Sequence, residues 1–349
     1  MNQTAPLKGS ALAITALALA LGTFMQVLDL TIANVSLPTI AGDLAASTDQ
    51  STWIITSFVV ANGIGVPLTG WLMNRYGVVK VFLYSIAGFT IASFLCGIAW
   101  SLESLVFFRT LQGAVSGPII PGSQALMLSI FPQDRRATAL ALWSITSLVA
   151  PICGPLLGGY ISDSWHWGWI FLINVPVGLL VTFLCWNGLS GRETPTRKLP
   201  IDGVGLGLLV VWAGALQVML DTGKNADWFG STQIVVLAII SVVGFAAFVL
   251  WELTEKHPIV DLSLFKSRNF ALGTLVFCLG NGVFLANMLI MPLWLQTHMG
   301  YTATWAGLVT APTGLVSVLL TPVAARAMGR MDARVIASVA FLASALSYY

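Results

Sequence analysis

The sequence predicts an all-α polytopic membrane protein, and three observations predict it. Of the 349 residues, 57% are hydrophobic and only 9% charged, against about 25% charged in an average soluble domain. A water-soluble fold has too little interior to hide that much apolar surface. Apolar runs long enough to cross a bilayer, which takes roughly 20 residues, recur along the chain. The lysines and arginines gather in alternate connections between those runs, as the positive-inside rule requires of a multi-pass protein.

The runs fall at about 12–37, 52–73, 81–99, 104–131, 138–161, 169–189, 203–220, 232–252, 270–296 and 304–325. The first follows a short head carrying Lys8, as a signal peptide would. It is long enough to span, and no small-residue cleavage site separates it from Asp29, so an uncleaved first helix is expected. The linker from Gly191 to Asp202, with two prolines and mixed charge, closes the first six runs. Runs seven and eight form a separate pair. His257 to Phe270, HPIVDLSLFKSRNF, mixes apolar and basic residues and fits an interfacial segment, either a plain connector or a lipid contact. An eleventh run begins near Val335 and reaches only about fifteen residues by Tyr349, so the chain is expected to be cut short. The expected division is 1–190, a six-helix N-terminal lobe; 191–269, linker, two additional helices and interfacial segment; and 270–349, an incomplete C-terminal lobe.

The loop charges are Arg75 and Lys80; Arg135 and Arg136; Arg192, Arg197 and Lys198; Lys256, Lys266 and Arg268; Arg326, Arg330 and Arg334. With Lys8 they make fourteen of the sixteen basic residues. The opposite loops hold only Lys224, so the N-terminus is expected in the cytoplasm. PLTGWLMNRYGVVK from Pro67 and PVAARAMGRMDARV from Pro322 each follow a helix opened by Thr-Trp; this reads either as a repeated half or as two ordinary cytoplasmic turns. Cys96, Cys153, Cys185 and Cys278 lie in apolar runs without a CxxC pair, as packing thiols do. The three histidines are isolated in separate loops. The only Gly-Lys step, Gly223-Lys224, has no glycine-rich lead and no following Ser or Thr. Neither a metal site, a bound cofactor nor a nucleic-acid partner is expected.

Two charges lie inside apolar runs. Asp29 stands alone in the first, where a carboxylate costs about 2.5 kcal/mol or more and needs a partner, a proton or a function. Arg109 lies in the fourth, LVFFRTLQGAVSG. Counted from the outer surface at 1.5 Å per residue, both sit roughly 9–12 Å deep. Matching depth allows an Asp29–Arg109 pair, direct or through water or Gln112. The other reading sends Arg109 to the outer headgroups and leaves Asp29 to Asn34 or Gln26. In a cavity, burial would favour a neutral acid and arginine a carboxylate, so Asp29 would be poised to exchange a proton. Helix five, SITSLVAPICGPLLGGY, combines Pro151 and Pro155 with Gly154, Gly158 and Gly159. That suits either a hinge and seal between two lobes or simple close packing of small residues. The tryptophans of WHWGWIFLINVPVG, from Trp165, suit an aromatic belt or a cation-binding vestibule.

At these residues the chain resembles the major facilitator superfamily, and within it the fourteen-helix drug:proton antiporters of the EmrB/QacA type. LDLTIANVSLP (Leu28 to Pro38), GWLMNRYGVVK (Gly70 to Lys80), LVFFRTLQGAVSG, APICGPLLGG (Ala150 to Gly159) and WGWIFLINVPVG each match a family motif, and the likeness covers nearly the whole chain. Asn74 departs from it, standing where the family usually has an acid and putting any charge relay through that position in doubt. The resemblance implies a major facilitator fold and export of hydrophobic or amphipathic toxic compounds in exchange for protons. It implies no cofactor beyond the proton gradient and no enzymatic activity. The setting would be the bacterial inner membrane, with an EmrA-like periplasmic adaptor and a TolC-like outer-membrane channel as partners. Asp29 would be the proton-coupling acid and Arg109 its partner, with Gln26, Asn34 and Gln112 as polar groups of the substrate cavity. Gly70, Asn74, Arg75, Gly77 and Lys80 would form the cytoplasmic gate, and Pro151, Gly154, Pro155, Gly158 and Gly159 the antiporter hinge.

Three rival readings follow from the residues. A nutrient symporter or uniporter is possible on the same fold. An intramembrane aspartyl protease needs a second deep acid, and Asp221 and Glu252 sit near helix ends. A non-transporting fragment is the third.

Overall fold

The computed structural model describes residues 6–197, 200–301, 303–328 and 331–347. Lys198 and Arg330, counted among the loop charges, lie outside the described residues, as do Gly329 of the PVAARAMGRMDARV segment and Tyr349. Among the described residues the chain is helical, without strands.

The first helix, α1 (Gly9–Asp43), extends beyond its apolar run at both ends. A single turn, α2 (Thr48–Ser51), is opened by a reciprocal Ser47–Gln50 capping box, which satisfies two of the N–H groups a helix start leaves free. Next come α3 (Trp53–Tyr76) and α4 (Val78–Gly97), joined by Gly77 alone at φ 95°. Only glycine takes that conformation without strain. The run 104–131, expected as one span, is instead α5 (Leu102–Ser116) and α6 (Ile119–Ile130). Pro118 has no N–H to offer the carbonyl of Ala114, and Gly117 lies against the backbone of Gly65 on α3. After α7 (Arg136–Ser164), the run 169–189 also divides, into α8 (Trp169–Leu172) and α9 (Asn174–Gly188). Pro176 removes the bond that would have returned to Leu172. The pair α10 (Gly203–Gly223) and α11 (Thr232–Thr254) follows, then α12 (Arg268–Thr297), α13 (Ala303–Met328) and α14 (Ala333–Ser347). The segment before α12 contains a 3-10 turn at Leu262–Lys266. Eight helices or helical stretches among the described residues are long and apolar enough to cross a membrane.

Packing follows the burial pattern. α1 runs along α7 and α9, α3 lies on α5, and α4 lies on α5 and α9. Two apolar clusters result. Leu19, Met25, Phe82, Ile86, Met127 and Val181 build one. Ile32, Ile40, Ile54, Leu105, Ile170 and Phe171 build the other. Asp29 falls on α1 between the stretches that supply the two. α10, paired with α11, packs on α3, and α13 packs on α7. Large apolar side chains such as Tyr84, Phe183, Trp186, Val242 and Phe277 remain exposed, as side chains facing lipid do. The four cysteines are free.

The α3–α4 turn, the linker and the segment after α11 gather at one end of the bundle, called the basic end for their arginines and lysines. There the linker lies over the α3–α4 turn. One Glu193 oxygen accepts from the Val79 N–H and the other from the Lys80 N–H, both at 3.0 Å. The Thr194 hydroxyl accepts from the Val78 N–H at 3.1 Å. The Arg197 N–H donates to the Asn74 carbonyl at 2.7 Å, and the Trp71 indole donates to the Pro200 carbonyl at 3.1 Å. A carboxylate thus reaches the α3–α4 turn from the linker, although Asn74 itself carries none.

Replacing Glu193 by Ala removes the cap of α4. By the usual cost of losing such a cap, stability should fall by about 1 kcal/mol, read as a lower unfolding temperature of the purified protein. An unchanged unfolding temperature would mean that the linker does not hold the turn.

Candidate functional site

The centre of the N-terminal helices is a closed polar network around Asp29. The acid is 0% exposed, and so is Arg109. Arg109 Nη1 donates to Asp29 Oδ2 at 2.5 Å and to Gln112 Oε1 at 2.7 Å. Its Nε donates to the Ile54 carbonyl of α3 at 3.1 Å. The guanidinium lies over the Phe58 ring, 4.3 Å from its centre, and 5.3 Å from that of Phe171, a placement that offsets part of the cost of burying it. The other carboxylate oxygen, Asp29 Oδ1, accepts from Gln112 Nε2 at 3.1 Å and from Asn174 Nδ2 at 2.9 Å. Gln112 Nε2 donates as well to the Ser93 hydroxyl of α4 at 2.7 Å. One donor remains without a hydrogen-bond partner, the second terminal nitrogen of Arg109, Nη2.

Local sequence explains the convergence. Arg109 and Gln112 are three residues apart on α5 and so share a face. Asn174 is the first residue of α9 and points back to α1. Charges buried this deeply are tolerated when paired and hydrogen-bonded, and here both conditions hold. Of the two readings open for Arg109, the structure contains the pair: neither Asn34 nor Gln26 is bonded to Asp29. Gln26 is buried with its carbonyl oxygen unpartnered, and Asn34 is half-buried further along α1. Gln112 is fully buried and committed to Asp29 and Ser93, so in this conformation it lines no open space. Asn174 and Ser93 were not singled out in the sequence. Asn174 left one sign, an amide inside an apolar run.

The remaining candidates lie in two other places. Gly154 and Gly158 of α7 face α1: a Cβ on Gly154 would fall inside the Thr31 side chain, and one on Gly158 would come within 3.0 Å of Ile32. Pro151 and Gly159 are buried and Pro155 half-buried. The glycine face is therefore used against α1, while α7 also carries α13. At the basic end, Gly70 and Asn74 line a cleft of about 500 Å³. The Arg75 guanidinium lies 5.4 Å from the Trp71 ring centre and 5.7 Å from that of Tyr76. Gly77 makes the turn, and the Lys80 N–H is held by Glu193. At the opposite end Trp165 and Trp169 are exposed, edge to face at 5.5 Å, while Trp167 is buried against Phe171. Glu103 is exposed in the first turn of α5. Asp221 accepts from Thr56, and from Gln217 at 3.2 Å, tying α10 to α3. Among the described residues no group of three or more His, Cys, Asp or Glu is placed to hold a metal.

Residues 19–349 match the model of the Major Facilitator Superfamily. The chain is 53% identical over 349 residues to the multidrug export protein EmrB of Escherichia coli K12, covering all of this chain and 68% of that protein. It is 53% identical over 344 residues to the fatty acid resistance protein FarB of Neisseria gonorrhoeae, covering 99% of this chain and 68% of that one. Among solved structures, a peptide transporter POT in complex with sulfate superposes with a TM-score of 0.63 at 16% identity, over 94% of this chain and 72% of the other. A D-xylose-proton symporter gives 0.58 at 14%, over 92% and 70%. These two likenesses speak for the fold alone.

The network predicts a coupled pair. Arg109→Ala leaves Asp29 buried without its cation and should cost about 3–5 kcal/mol. Asn174→Ala removes a bond to a charged group and should cost about 1.5–3 kcal/mol. The double variant Asp29→Ala/Arg109→Ala should be less destabilised than the two single losses combined, measured by unfolding of the purified proteins. Simple additivity would contradict the coupling.

Proposed function

Because the chain belongs to the Major Facilitator Superfamily, a family of membrane transporters, we propose that it exports hydrophobic or amphipathic toxic compounds across the bacterial inner membrane in exchange for protons. The observation that carries this reading is the Asp29 carboxylate, sealed inside the N-terminal lobe and held by Arg109, Gln112 and Asn174. The similarity to EmrB and FarB supports drug-like or fatty-acid-like cargo. We place the N-terminus and the basic end in the cytoplasm, on the charge bias of the loops. The protein would act as the inner-membrane part of a tripartite pump, with an EmrA-like adaptor and a TolC-like channel.

In this mechanism Asp29 is the proton carrier. A proton arriving on its carboxylate cancels the charge that holds Arg109, and the guanidinium keeps only the Ile54 carbonyl, Gln112 and the two rings. The tie between α1 and α5 loosens. Thr31 and Ile32, just after Asp29, rest on Gly154 and Gly158 of α7. A shift of α1 is therefore felt by the helix that bears α13, and residues Pro151 to Gly159 serve as the hinge. Opening of the network frees Gln112, and with Gln26 and Asn34 it becomes available to cargo. Gly70 to Lys80, strapped by the linker, form the cytoplasmic gate. Cargo entering the opened network is bound with Asp29 recharged, so its arrival expels the proton, and a proton's arrival in turn expels cargo.

Everted membrane vesicles carrying the full-length protein test this reading. Under an inward-acid gradient the wild type should accumulate a lipophilic drug. Asp29→Asn should lose gradient-driven uptake while still binding the drug. Equal uptake by both would remove Asp29 from the proton path.

A further inference from the structure

At the basic end, α10 and α11 meet around two carboxylates that the transport reading leaves unused. Asp202, the residue before α10, is 8% exposed, and Glu252, near the end of α11, is 3% exposed. Each commits one oxygen. Asp202 Oδ1 accepts from the Gly205 N–H at 2.8 Å and from the Trp251 indole at 3.0 Å. Glu252 Oε2 accepts from the Val260 N–H at 2.9 Å. The other two oxygens, Asp202 Oδ2 and Glu252 Oε1, are buried with no hydrogen-bond partner. Both crowd the space over Gly205 where a Cβ would stand, so the two orphan oxygens face the same spot. Among the described residues neither acid takes part in an ion pair.

Two acceptors cannot satisfy each other, and two neighbouring buried carboxylates cannot both keep their charge. One proton resolves both difficulties: as a carboxyl–carboxylate pair, the O–H of one acid donates to the orphan oxygen of the other. Such a proton belongs to the pair rather than to either residue. We propose that Asp202 and Glu252 hold one exchangeable proton between Oδ2 and Oε1. This proton-binding site is separate from Asp29 and does not depend on the role given to Asp29.

The surroundings provide access and consequence. Glu252 lines the cleft of about 500 Å³ that also touches Gly70, Trp71 and Asn74. Asp202 lines a second cleft of about 210 Å³. The other ionisable groups on these clefts are Glu255, Lys256, His257, Asp261 and Lys266. Loss of the proton sets two buried charges against each other at the point where the start of α10, the end of α11 and Val260 are tied together. The end of α3 that lines the same cleft, Gly70 to Asn74, then feels the acidity of the solution on that side. Because the folded pair keeps a proton that the unfolded carboxyls release, stability falls as pH rises.

Infrared difference spectroscopy of the purified full-length protein in lipid nanodiscs tests the site. The wild type and Asp29→Asn should both show one protonated carboxyl near neutral pH that titrates as a single proton. Asp202→Asn and Glu252→Gln should each lose it. Glu252→Gln, whose amide donates in place of the acid, should stay folded and show a weaker fall of unfolding temperature with pH. The proposal is overturned if the wild type has no such carboxyl, or if the band survives in either Asp202→Asn or Glu252→Gln. A band that appears only when sodium and magnesium are removed would make the pair a cation site and overturn it equally.

Discussion

A carboxylate in the middle of an apolar helix has to be answered from inside the protein, and that requirement organises the N-terminal helices. Asp29 is answered by Arg109 and Gln112 of α5 and by Asn174 of α9. Each partner is held in turn. Gln112 donates to Ser93 of α4, and Arg109 donates to the Ile54 carbonyl of α3 while lying over Phe58 and Phe171. Five long helices are thereby fixed in register by one charge. Apolar packing tolerates small slides between helices, whereas a buried ion pair with directed hydrogen bonds does not.

In the proposed mechanism the same constraint makes the pair a lever. Residues that stabilise a charge only while it is charged will release one another when it is neutralised. α1 passes the change on directly, because Thr31 and Ile32 lie against the glycines of α7, where no side chain cushions the contact. On the basic side a different arrangement holds the helices. Glu193 and Thr194 cap the start of α4 from the linker, and Asp202 and Glu252 join the two helices that follow. Acidic groups therefore stand both at the α3–α4 turn and where α10 meets α11.

Much of this was legible in the sequence because intramembrane charges are rare. Two of them at matching depth on antiparallel helices leave few partners to choose from, and Gln112 follows from its spacing to Arg109. The family resemblance groups Asn34 with Gln112, but five residues turn a helix about 140° away from Asp29, and Asn34 makes no hydrogen bond to the acid. Gln26 lies on a better face and is buried, yet its oxygen reaches no donor. Asn174 depends on α9 lying beside α1, and Ser93 is one of many helix serines; neither can be found without tertiary structure. The divided runs had a local sign in Pro118 and Pro176, which hydropathy does not register. The tryptophans after helix five form one group in the sequence, whereas in the structure Trp167 is core and Trp165 and Trp169 are surface. The carboxylate of Glu193 was hidden by distance in sequence, since Asn74 alone suggested that the turn had none.

The central claim is that the Asp29–Arg109 pair exchanges a proton when cargo binds. It is tested most directly by measuring proton release from the purified full-length protein in weakly buffered, mildly acidic solution as a lipophilic drug is added. The account predicts release by the wild type and none by Asp29→Asn at drug concentrations where both are saturated. Equal release by the two proteins would contradict it and leave the buried pair a structural device alone.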